Sequence, residues 1–209
     1  MTVALVAATF VGLCVAVELV GRLAPIGPEL LRKLAHMSSA ALAAALPLVL
    51  TFPEIALLGV VFAGVMAVSM RVRLFGAIHD VSRTTYGEVC FPLGIAALAV
   101  ACPTMPAFAY GVLVLGLGDG LAALLGERFG RRVVPLVRTR KTLWGSGAFM
   151  GTCFVLGLLV LGATGLPPLY AVLAAGAMAI ALTPVELFLT YGLDNLLLPT
   201  MAGLLVTGL

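Results

Sequence analysis

One acid stands out by its surroundings. Asp119 sits in the run Gly116-Leu-Gly118-Asp119-Gly120-Leu, inside an otherwise apolar stretch. Glycines on both sides leave room for a ligand or for a closely packed helix. A carboxylate so placed suits Mg²⁺, which takes oxygen ligands and is often held by one or two carboxylates plus substrate phosphates. Downstream lie Arg128, Arg131, Arg132, Arg138, Arg140 and Lys141, half of the chain's twelve basic residues. Gly126, Gly130 and Gly145 punctuate this stretch, which closes with Lys141-Thr142 and Gly145-Ser146. Lysine meets phosphate as a point charge and arginine as a fork. Thr142 and Ser146 offer hydroxyls, and Ser146 is placed to cap the next helix, whose first N–H groups would then face an anion. The P-loop pattern G-x-x-x-x-G-K-[ST] is absent. An acid beside a basic, glycine-punctuated loop predicts a site for a metal-bound nucleotide phosphate. The plainer alternative is glycines that serve helix packing, an Asp119 paired with an arginine, and loop cations that only orient the chain or touch anionic lipid.

Weaker candidates flank this core. Arg32-Lys33-x-x-His36 puts Arg32 and His36 on one helical face; the plain alternative is an interfacial anchor. Arg83 and Gly87-Glu88 precede Pro92, with Glu88 at a helix start where its charge is favoured anyway. Glu186 lies in an apolar helix with no adjacent base, and Asp194-Asn195 precede Pro199 at a break. His79 reads as solvated. The four cysteines lie far apart in apolar stretches without metal-ligand spacing and read as small buried hydrophobes.

The elements that must hold these groups are membrane helices. The 209 residues are 62% hydrophobic and 10% charged, with mean hydropathy +1.20, against about 45–50% and about 25% in soluble domains. So few polar residues predict one integral membrane domain over 1–209. Apolar runs of about the required length fall at 3–20, 29–50, 55–70, 88–101, 107–125, 146–161 and 169–190. A shorter run, 196–209, is an eighth span or a re-entrant piece. The first run reads as a retained span rather than a signal peptide, and 71–87 as an interfacial loop or short amphipathic helix. Every Lys and Arg falls in an odd-numbered connection, with a large basic loop between spans five and six. The positive-inside rule then puts the N-terminus outside and the basic connections in the cytoplasm. Glu18, Glu88, Asp119, Glu186 and Asp194 fall toward the same face, so they predict one polar site open to the cytosol. Ionisable groups at such depth cost roughly 2.5–3.5 kcal/mol on insertion scales and face a cavity or a partner.

The ordered set Arg32-Lys33-x-x-His36, Arg83…Gly87-Glu88…Pro92, Gly118-Asp119…Gly126…Gly130, Lys141-Thr142-x-x-Gly145-Ser146 and Glu186…Asp194-Asn195…Pro199 resembles the CTP-dependent polyprenol kinase family. That family includes dolichol and phytol kinases, with a related CTP-dependent diacylglycerol kinase. The resemblance runs from about Arg32 to Pro199. It implies transfer of the terminal phosphate of CTP to a lipid alcohol, with Mg²⁺ as cofactor. It places the nucleotide at Asp119, Lys141, Thr142, Gly145 and Ser146; Gly118, Gly126 and the loop arginines Arg131 and Arg140 are expected to join the phosphate site, and Asp119 with Asp194 to hold the metal. Glu88, Asp194 or His36 would orient or deprotonate the hydroxyl; Arg32, Lys33, Arg83, Glu186 and Asn195 would support the substrates. Trp144 departs from the pattern, standing where many relatives carry glutamate. The short chain points to a bacterial or phytol-kinase-like member, in the inner membrane with its site toward the cytoplasm. No nucleic-acid partner is expected, and the oligomeric state stays open. Two readings compete. A CTP:phosphatidate cytidylyltransferase shares the Asp…Gly…Lys-Thr…Gly region but normally ends in an acidic, histidine-glycine-rich signature. A small transporter would place its acids near the midplane of inverted repeats, and no internal repeat is visible.

Overall fold

In lipid each backbone N–H and C=O must find its partner within the protein, and a helix does this locally. The computed structural model obeys that rule. The described residues are 1–72, 86–134 and 141–209, and apart from one isolated antiparallel bridge, Val133 to Thr142, they hold no β structure. Their helices are α1 Thr2–Leu23, α2 Pro28–Ala44, α3 Phe52–Val72, α4 Gly87–Ala101, α5 Met105–Phe129, α6 Leu143–Ala163, α7 Pro168–Phe188 and α8 Leu193–Thr207. Among the described residues five, α1, α3, α5, α6 and α7, are long and apolar enough to cross a membrane. The expected amphipathic piece at 71–87 falls mostly on 73–85, which with Arg83 lies outside the described residues; so does 135–140, with Arg138 and Arg140.

Local chemistry explains where the helices stop. The second apolar run was expected to continue to residue 50, but α2 ends at Ala44 and a 3₁₀ turn, Leu46–Leu48, follows. Pro47 has no N–H to give to the preceding turn, which weakens the α-helix at this point, whereas the prolines inside α4, α7 and α8 are accommodated. Thr51 precedes α3, and its N–H and hydroxyl both donate to Glu54 Oε2 at 2.8 Å, so Glu54 reaches back to cap the start of the helix. The helix carrying Asp119 runs one turn past the expected residue 125, to Phe129. Asp119 is thus ten residues from its end, about 15 Å at 1.5 Å per residue.

Two buried clusters share α5, the most buried of the five long helices. Tyr110, Val114, Phe149, Leu182 and Leu198 join it to α6, α7 and α8. Phe108 and Val112 join it to α2, α3 and α4 with Ala40, Ile55 and Leu98. Small residues let the backbones touch: a Cβ on Gly94 of α4 would lie 2.0 Å from the Asn195 carbonyl oxygen of α8. Helix α1 is peripheral and buries only Val17. The short helices α2, α4 and α8, of 17, 15 and 15 residues, each begin at the end of the bundle where the charged residues gather.

Candidate active site

Within α5, residues Val114–Gly118 form a π-turn directly before Asp119. Such turns widen a helix, loosen its carbonyl ladder and occur often at functional sites. His36 of α2 fills the opening: its Nε2 stands 3.3 Å from the Leu115 carbonyl oxygen, which requires the proton on Nε2. The ring rests on Phe91 of α4, with centroids 4.6 Å apart. Asp119 itself has no cation within salt-bridge reach among the described residues, so the arginine pairing weighed for it is not seen there.

The basic loop returns to α6 through a pinched base. Val134 N–H donates to the Lys141 carbonyl at 2.9 Å, and Leu143 N–H to that of Arg132 at 3.2 Å. Thr142, not Ser146, caps α6: its Oγ1 accepts from Gly145 N–H at 3.1 Å, while Ser146 Oγ donates to the Thr142 carbonyl. The helix starts three residues earlier than the apolar pattern suggests because Thr142 is buried where it can cap, and Ser146 lies in the first turn. Lys141 reaches α7, where its ammonium pairs with the Glu186 carboxylate and also donates to the Glu186 backbone carbonyl. Glu186 Oε2 is buried without a hydrogen-bond partner among the described residues.

The break between α7 and α8 is made by Tyr191 and Gly192, both at positive φ. Gly192 abuts the backbone of Gly87, and Asn195 Nδ2 donates to the Gly87 carbonyl at 3.0 Å, stapling α8 to the start of α4. Asp194 follows in the first turn of α8, its Oδ1 accepting from Asn195 N–H. On α2, Arg32 forks onto Glu29, with Nη2 to Oε1 at 2.8 Å. Lys33 is buried and pairs with Glu127 at the end of α5.

These groups line one cleft of about 840 Å³, within the range of sites that hold a small molecule. Arg32, Lys33, His36, Asp119, Gly126, Arg131, Lys141, Thr142, Gly145, Ser146, Glu186, Asp194 and Asn195 all face it. The first turns of α2, α6 and α8 open onto it through Glu29, Gly145 and Asp194. Gly118 is buried against Phe149 instead, a packing position. Glu88 lines a neighbouring apolar groove. Arg83 and Arg140 lie outside the described residues. Glu18 pairs with Arg22 at 2.9 Å. Trp144 is exposed, its ring 6.1 Å from Phe129, and is absent from the cleft wall, so the departure it marks falls outside the cleft.

Sequence reasoning missed the π-turn, whose only trace is the Gly-Leu-Gly-Asp-Gly run. It also missed Glu29 and Glu127 as the partners that fix Arg32 and Lys33; Glu29 at i−3 from Arg32 was the available signal. Among the described residues no group of three or more His, Cys, Asp or Glu converges as a metal cage. Asp119 and Asp194 both line the cleft, and two carboxylates suit a Mg²⁺ ion that would complete its shell with phosphate and water.

The fold and site together define an integral membrane protein with its polar chemistry gathered in one cleft at one end of a helical bundle. Known proteins narrow the class. The chain is 32% identical over 208 residues to the phytol kinase of Synechocystis sp., covering 95% of this chain and 88% of that protein. It is 43% identical to the dolichol kinase of Saccharomyces cerevisiae over 51 residues, 24% of this chain and 9% of that one. No family model matches the chain, and no solved structure matches it. The chain belongs to the polyprenol kinase family of lipid-alcohol kinases.

Proposed function

We propose that this protein transfers the terminal phosphate of CTP to an isoprenoid alcohol of the phytol or geranylgeraniol kind. One observation carries the reading: three helix N-termini and the cations Arg131 and Lys141 converge on a single cleft with the carboxylates Asp119 and Asp194. Helix N-termini and cations attract phosphate, and two carboxylates in the same cleft suit its metal. Phosphoryl transfer consists mostly of positioning and charge neutralisation, and this cleft is equipped for both. Lys141 holds phosphate oxygens while Glu186 fixes its direction. Arg131, Thr142, Ser146 and the α6 N-terminus take the remainder of the triphosphate. Asp119 and Asp194 hold Mg²⁺, which when bound offsets the phosphate charge. The bundle spans the membrane seven or eight times as one domain, N-terminus outside and cleft toward the cytoplasm, because all twelve cations fall in alternate connections or at the helix ends that adjoin them.

The test is a matrix of nucleotides against alcohols on the purified protein, with products identified by mass spectrometry. CDP and a lipid phosphate are the expected products with CTP and phytol or geranylgeraniol. Release of pyrophosphate with a CDP-lipid, or no turnover with any alcohol, would overturn the assignment.

A further inference from the structure

Beside the cleft runs a second, mostly apolar groove between α1, α2, α3 and α4. Resting on the kinase reading, we propose that this groove holds the first isoprene units of the acceptor alcohol, and that Glu88 receives the proton of its hydroxyl. The groove's walls include Phe10, Phe62 and Phe91, and on α3 it extends from Ile55 to Met66, eleven residues or about 16 Å of helix. Its polar end is formed by Glu88, and Arg32, His36 and Asn195 there also line the nucleotide cleft, so the two spaces meet at shared side chains. A ligand with an apolar tail and a hydroxyl head matches that layout: tail among the phenylalanines, head at the junction with the phosphate site.

Glu88 is singled out by an unmet need. Its Oε2 is buried and has no hydrogen-bond partner among the described residues. A buried acceptor left so is costly, and an alcohol O–H would satisfy it. The other two candidates are engaged elsewhere. His36 Nε2 carries its proton toward the Leu115 carbonyl. Asp194 lines the cleft and is absent from the groove wall. In the transfer step the hydroxyl proton passes to Glu88 Oε2 as the alcohol oxygen bonds to the terminal phosphorus. The bond from that phosphorus to the bridging oxygen breaks, and its electron pair leaves with the nucleoside diphosphate. Glu88 then releases its proton to water in the cleft. Arg32 lies within electrostatic reach of both Glu88 and Asp119, so it stands between the two halves of the reaction.

Cys14 of α1 lines the groove, whereas Cys90 does not, and both are free and only partly buried. This gives a test on the native chain in lipid nanodiscs. With geranylgeraniol at a concentration that saturates turnover, alkylation of Cys14 by N-ethylmaleimide should slow at least about fivefold, with Cys90 unchanged. Ser39→Phe, which narrows the groove from α2, should raise KM for geranylgeraniol about tenfold. Glu88→Gln should lower kcat about 100-fold with Cys14 still protected by alcohol, and Glu88→Asp should recover part of the rate. No protection of Cys14 at saturating turnover, or an unaltered KM in a folded Ser39→Phe protein, would overturn the groove. Wild-type kcat in Glu88→Gln would overturn the proton acceptor. Absence of turnover in the wild type with every alcohol is a separate result, and it would defeat the kinase reading itself.

Discussion

Asp119 and Lys141 test different things although both face the cleft. Asp119 has no ion pair among the described residues, so its charge adds nothing through pairing to the folded state. Asp119→Asn should therefore unfold within about 1 kcal/mol of wild type, yet lose at least about 100-fold in kcat, comparable to removal of one preorganised electrostatic group. Thermal unfolding and turnover on the same sample check this, and near-wild-type turnover would remove Asp119 from the metal site. Lys141 is coupled to Glu186, whose side chain is 4% exposed. Lys141→Met leaves that carboxylate buried and alone, a loss of about 3 kcal/mol. Adding Glu186→Gln should recover much of the unfolding temperature and none of the activity. If the double variant stays as unstable as the single, the pair is not what holds the end of α7 to the loop. Asp119 was legible because an acid in an apolar run needs a reason. The Lys141–Glu186 pair was not, since 45 residues separate the two and no local pattern joins them.

Two glycines near the start of α6 look alike in the sequence and differ in the structure. A Cβ on Gly145 would stand 2.8 Å from the Ala122 carbonyl oxygen of α5, whereas nothing lies within 4 Å of one on Gly147. Gly145→Ala should force α5 and α6 apart at the cleft, at a cost of about 1–3 kcal/mol, and weaken nucleotide binding. Gly147→Ala should be neutral or slightly stabilising, since alanine favours a helix. Unfolding temperatures and nucleotide titrations of the pair decide it, and equal behaviour would mean that the α5–α6 contact does not shape the site. The helices themselves were largely readable from hydropathy, because lipid forces each backbone into a helix; among the described residues five are long and apolar enough to span, and α4 and α8 are apolar but shorter. The helix ends were less readable. Pro47 weakens the end of α2 through a missing N–H, Thr142 starts α6 early through its hydroxyl, and the Leu115 carbonyl in the π-turn of α5 is met by His36 from another helix. The apolar groove was unreadable for the same reason: its wall is shared by four helices whose facing residues look like any others.

For the molecule as a whole, the proposed reaction requires the cleft to open on the cytoplasmic face of the membrane. The turns at the far end of the bundle, 45–51, 102–104 and 164–167, contain no Lys or Arg, while Arg131 and Lys141 line the cleft. A nucleotide reaches only a cytoplasmic site, so chain orientation and activity must agree. With Cys14 and Cys90 replaced by alanine, Thr104→Cys should react with an impermeant maleimide on intact cells. Arg131→Cys should react only in inverted vesicles. Both residues are exposed in the structure, so failure to label in either preparation cannot be ascribed to burial. Labelling of both positions from the same side would break the alternation of spans on which the orientation rests. Reversed labelling would keep the bundle but turn the cleft away from its nucleotide, and a CTP-dependent reaction could then not be assigned to it.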